Sequence, residues 1–160
     1  MKTTAIIKNI FRRNYETYEG VYNFKIYLIR LVFLLTFLFV ATDSWTAIIT
    51  HQGPWDYVRA VAFCVWAAYS TMAILGLIHP LKMLPMMMFQ MFYKAIWLVI
   101  VAWPLWSAGE LATSPAAEMA KAFSWIFLPI MAMPWVYFFK TFVLPGRKRL
   151  TESREKRAFA

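Results

Sequence analysis

Acidic residues are scarce in this sequence. Eight Asp and Glu stand against seventeen Lys and Arg in 160 residues, and no acid lies midway along a hydrophobic run. A proton-coupled exporter of cations needs a carboxylate at that depth, as small four-helix multidrug exporters do, and the chain departs from them there. Cys64, alone within an apolar run, excludes an internal disulfide, a CxxC redox pair and a cysteine-based zinc site. Its thiol reads as a small packing hydrophobe. The only histidines, His51 and His79, fall in separate loops, which leaves no paired axial ligation for a haem. No P-loop, HExxH or GxSxG motif occurs, and no cofactor is expected. There is no internal repeat of the inverted-transporter kind.

Apolar surface is what the chain has in excess. Hydrophobic residues make up 61%, aromatics 19% and charged residues only 16%, with a mean hydropathy of +0.53. A soluble domain of this length cannot hide that much apolar area, whereas a bilayer accepts it. Four runs approach the roughly 20 residues needed to cross about 30 Å of hydrocarbon. They cover 26–45, 57–78, 83–106 and 121–144. Without water the backbone must bond to itself, so runs of this length are expected as helices, and the period-two alternation of a barrel is missing. The first run begins only near Ile26, after a polar lead, and Phe39-Val40-Ala41 is a poor cleavage site, so it reads as a retained span.

The net charge of +9 is unevenly placed. Residues 1–30 hold six Lys and Arg against two Glu, and residues 140–160 hold seven against two. The loop 42–56 has Asp43 and Asp56, and the loop 107–120 has Glu110 and Glu118, neither with a base outside the runs. Lys82 lies in the turn 79–82. Positive-inside counting therefore places both termini and that turn in the cytoplasm, and the two acidic loops outside. Arg12, Arg13, Lys25, Arg30, Lys82, Lys140, Arg147, Lys148 and Arg149 read as topology signals and contacts for anionic headgroups. Nucleic acid is not expected as a partner. Trp45, Trp55, Tyr57, Trp103 and Trp106 suit the outer interface, and Tyr22, Tyr27 and Tyr137 the inner one.

The expected architecture is an all-α integral membrane protein, a four-transmembrane-helix bundle with both ends cytoplasmic, in the cytoplasmic membrane. Residues 1–25 form a basic cytoplasmic segment, 26–144 the membrane domain and 145–160 a basic tail. Ile7, Ile10, Phe11, Tyr18 and Tyr22, with Lys8, Arg12 and Arg13 interleaved, predict a short amphipathic helix on the inner leaflet. Pro129 and Pro134 predict kinks in the fourth run.

Lys94 is the most informative polar residue. It lies about 16 Å along the third run at the helical rise, too deep for its ammonium to regain the headgroups. An ion there costs at least about 2.5 kcal/mol and must face the bundle interior, a wet cavity or a partner. Gln90, one turn away, shares its face. Tyr69, Ser70 and Thr71 of the second run are candidate partners across the interface. Lys94 thus serves either as a polar clip between helices, or as a site for an anionic group from a ligand or another chain. His79, Met83, Met87 and Met91, at near-helical spacing, form a weaker Cu(I) ladder, set against ordinary methionine packing. The function expected is that of a non-enzymatic accessory, assembly or regulatory membrane subunit working through helix–helix contacts, as a homo-oligomer or with other membrane subunits. The alternative is a small carrier or binding protein for an anionic or quinone-like ligand at Lys94. A membrane-embedded lipid-modifying enzyme ranks third.

Overall fold

The computed structural model describes residues 13–14 and 18–144. The described chain is helical apart from one short strand pair, β1 (Arg13–Asn14) against β2 (Val21–Tyr22), antiparallel with Arg13 opposite Tyr22. The reversal between them passes through Glu19 at φ 48° and Gly20 at φ 81°. Two successive left-handed residues close a tight turn that an α-helix cannot contain. The expected amphipathic helix is therefore corrected at Arg13–Asn14 and Val21–Tyr22, which are strand, while Tyr18 is helical; Tyr22 is extended backbone rather than part of a helical stripe. Ile7, Lys8, Ile10, Phe11 and Arg12 lie outside the described residues, as do Arg147, Lys148 and Arg149.

Three helices are long and apolar enough to cross a membrane: α1 (Asn23–Ile49), α2 (Tyr57–Ile78) and α3 (Leu84–Ser107). The fourth run is not one helix. It is broken into α4 (Ala117–Ala132), itself interrupted at Trp125 and Ile126, and α5 (Trp135–Val143), set at 74° to it. The expected kinks are here, and the break is sharper than a kink. Pro134 has no N–H to give to the carbonyl of Ile130. That oxygen accepts instead from the indole Nε1 of Trp135 at 3.1 Å. The next carbonyl, of Met131, accepts from Lys25 Nζ of α1. The break is thus a capped structure held from a neighbouring helix.

Other boundaries follow from local chemistry. Asp56 caps α2, its carboxylate accepting from the Arg59 N–H at 2.8 Å. Pro85 sits in the first turn of α3, where a missing N–H costs nothing, and Pro80 lies in the preceding turn, so neither breaks a helix interior. Wider π-turns occur at Thr36–Ala41 in α1 and Leu98–Ala102 in α3, the latter ending two residues before Pro104.

The core is concentrated at one end of the bundle. Ile26, Ile29, Val32 and Phe33 of α1 meet Ala73 of α2, Leu84, Met87 and Met91 of α3, and Ala132 and Met133 at the break. Val21 of β2 and Leu81 of the 79–83 turn close this end. Toward the far end, α1 and α2 bury small side chains instead, Ala41 and Ser44 against Ala67 and Ser70. Small residues let helix backbones approach closely and pack without a hydrophobic driving force. Because Lys25 reaches Met131, the start of α1 and the end of α4 lie at the same end of the bundle. His51 and His79 flank the 22-residue α2, at opposite ends.

Candidate functional site

Several polar groups midway along the helices pair off rather than converging on one point. Each pair joins different helices. Thr36, at the π-turn of α1, donates from Oγ1 to Gln90 Oε1 of α3 at 3.2 Å, and both residues are buried. The hydroxyls of Tyr69 on α2 and Tyr93 on α3 share a hydrogen bond of 2.7 Å. Trp45 on α1 donates its indole N–H to Thr71 Oγ1 on α2 at 2.9 Å. Ser70 and Thr71 also donate back to their own helix, Ser70 to the carbonyls of Trp66 and Ala67, and Thr71 to Ala67. Such back-bonding satisfies a buried hydroxyl without a partner helix.

Lys94 is left out of these pairs. It is half-buried, the eleventh of the 24 residues of α3, and among the described residues no oxygen lies within hydrogen-bond reach of its ammonium. Its ammonium lies over the ring of Phe123 on α4, with Nζ 5.8 Å from the centroid. A cation over a ring face is attracted by the quadrupole, worth about 0.5–2 kcal/mol depending on solvation. Phe123 is the hub of an aromatic chain. Tyr93 and Trp97 present edges to it at 5.6 and 5.1 Å, and Tyr93 continues to Tyr69 and Phe89, each at 5.8 Å. This chain runs from α2 through α3 to α4.

The residues singled out from sequence therefore separate. Gln90 and Lys94 are one helical turn apart, yet Gln90 faces α1 and Lys94 faces α4. Tyr69 and Ser70 do not reach Lys94 and are satisfied elsewhere. No family model, curated protein or solved structure matches this chain. Sequence reasoning overlooked Thr36, Tyr93 and Phe123. Thr36 and Tyr93 carried a usable signal, each being a hydroxyl deep within an apolar run; Phe123 carried none among fourteen phenylalanines.

The methionine stripe is part of the core. Met87 and Met91 are buried with Ile29, Phe33 and Met133, Met83 packs beside them, and His79 is exposed in the turn. Among the described residues no three of His, Cys, Asp and Glu come together. Of the basic residues described, Lys25 binds the Met131 carbonyl, and Arg30 turns to the Tyr18 hydroxyl at 3.2 Å. Lys82 and Lys140 are exposed, at the α2–α3 turn and on α5.

A groove of about 450 Å³ runs between α2 and α3, lined by Val65, Ala68, Tyr69 and Met72 on one side and Met83, Pro85, Met86 and Phe89 on the other, with Lys82 at its end. It lies on the outward side of the Tyr69–Tyr93 pair, away from Lys94, whose ammonium is directed to α4.

Proposed function

We propose that this chain is a multi-pass protein of the cytoplasmic membrane with both ends cytoplasmic, acting as a non-enzymatic accessory or regulatory subunit through helix–helix contacts. The observation carrying this reading is the division between interior and exterior. Inside, the mid-helix hydroxyls of Thr36, Tyr69, Ser70, Thr71 and Tyr93 and the Gln90 amide are engaged in joining one helix to another or in bonding to their own helix. Outside, α3 alone exposes Phe92, Ile96, Val99, Ile100 and Trp103. A soluble monomer does not tolerate an apolar face of that length, so it belongs against lipid or another helix. The orientation is supported by the basic residues that flank the Lys25–Met131 end and by the acidic loops at the other. In that frame α5 leaves the end of the bundle at a steep angle and lies in the headgroup layer of the inner leaflet, with Trp135 and Lys140 as anchors. A photo-crosslinking amino acid at Ile96 or Val99 tests the proposal in cells. A discrete adduct with another membrane protein or a second copy is expected; adducts with lipid alone at every outward position would refute it.

A second reading, a carrier or binding protein for an anionic or quinone-like ligand, is favoured by one observation, the ammonium of Lys94 without an oxygen partner. Lys94→Met separates the two. If Lys94 only bridges helices, the variant folds with unchanged or greater thermal stability in detergent, because an intramembrane charge costing at least about 2.5 kcal/mol is removed. Under the carrier reading, the thermal shift that wild type shows with an anionic or quinone ligand disappears while the fold persists. Wild type showing no shift with any member of such a panel would end that reading.

A further inference from the structure

We propose that the α2–α3 groove is a binding site for one anionic glycerophospholipid of the leaflet on the Lys82 side, with the phosphate on Lys82 and an acyl chain along the groove. The inference rests on the membrane reading above.

Three features point to this occupant. The lining is almost wholly apolar: the Tyr69 hydroxyl is turned inward to Tyr93, and the charge available to the groove is that of Lys82, exposed beside one end of it. Polar chemistry is therefore confined to one end, which is the layout of an amphiphile. Charge complementarity is one-sided, since no Asp or Glu occurs anywhere between Tyr57 and Ser107. Lys82 is exposed and, among the described residues, forms no ion pair, so its charge is available to a phosphate. The shape also follows the helices. Val65, Ala68, Tyr69 and Met72 form a stripe at spacings of three and four on α2, and Met86 and Phe89 face it from α3. Seven residues of helix give a trough about 10 Å long, parallel to the direction in which an acyl chain lies. Met72, Met83 and Met86 contribute flexible thioether side chains that adapt to a mobile hydrocarbon. Its volume is within the roughly 300–1,000 Å³ of small-molecule sites.

The test is native mass spectrometry of delipidated protein in mild detergent, titrated with dioleoylphosphatidylglycerol or dioleoylphosphatidylcholine. Wild type is expected to retain one phosphatidylglycerol with about fivefold preference, the effect of one lysine on an anionic headgroup. Lys82→Gln, at an exposed position, should bring the preference to within about twofold, while Lys121→Gln at the other end of the bundle should leave it unchanged. Ala68→Phe, filling the trough from an exposed position, should weaken retention of both lipids. Equal retention of both lipids by wild type, an undiminished preference in Lys82→Gln, or an equal loss in Lys121→Gln would overturn the proposal. So would a covalent dimer formed through a crosslinker at Met72, which would show a second copy in the groove. Alkaline carbonate extraction of cell membranes keeps the two readings apart. Release of the wild-type chain would defeat the membrane reading itself, whereas retention together with an unaltered Lys82→Gln would defeat only the lipid site.

Discussion

Gly76 of α2 packs against the Phe33 ring of α1, and replacing it with alanine sets two opposed effects against each other. A Cβ built there falls 2.3, 2.4 and 2.6 Å from Cδ2, Cγ and Cε2 of the Phe33 ring, against ordinary contacts of 3.4–4 Å. The ring would have to retreat by about 1 Å. It cannot do so alone, because Phe33 is 1% exposed and is packed in the same cluster as Ile29, Ala73 and Met87. Either α1 and α2 separate or the ring leaves its rotamer, and overpacking of this kind costs about 1–3 kcal/mol. Working the other way, alanine in a helix interior gains up to about 1 kcal/mol over glycine. With three ring atoms in overlap and no free end to yield, the steric cost dominates, and Gly76→Ala should destabilise the bundle by about 1–2 kcal/mol. Unfolding by dodecyl sulfate titration in mixed micelles measures this. The double variant Gly76→Ala/Phe33→Leu provides the internal control, because a leucine vacates part of the space that the new methyl needs. Its loss should fall below the sum of the single losses by about 1 kcal/mol or more. Wild-type or greater stability in Gly76→Ala, or strict additivity in the pair, would show that α1 and α2 do not meet at this point.

Two further outcomes follow from the polar pairs and the break. Tyr69→Phe and Tyr93→Phe should each cost about 0.6 kcal/mol, and at most about 1.7, as for interhelical hydrogen bonds in membranes generally. The double variant should be scarcely worse than either single one, and a double-mutant cycle showing additive losses would mean that the two hydroxyls do not bond. Spin labels at Val136 and Val143, seven residues apart on α5, report its direction through accessibility to oxygen and to a nickel chelate. A spanning helix would separate their depths by about 10 Å. On the proposed membrane reading, with α4 along the membrane normal and α5 at 74° to it, the depths should agree to within about 3 Å; a separation near 10 Å would mean that α5 continues the direction of α4.

Much of the architecture was legible in the residues because it depends on local chemistry. The lengths of the three unbroken helices follow from where hydrophobic runs stop, at Asp56 before α2 and at the His79-Pro80 turn after it. The break in the fourth run follows from Pro134, since a missing N–H is a covalent property that no packing restores. Tertiary structure alone decided how that break is repaired. The Trp135 indole is close in sequence, but Lys25 is more than a hundred residues away, and nothing in a basic residue at the start of α1 marks it for the carbonyl of Met131. The same holds for Gln90 and Lys94. Helical periodicity puts them on one face, but a face one turn long can border two different helices at two heights, and here α1 borders the lower position and α4 the upper. Periodicity names the side of a helix; which neighbour stands there depends on where the other helices begin, bend and end.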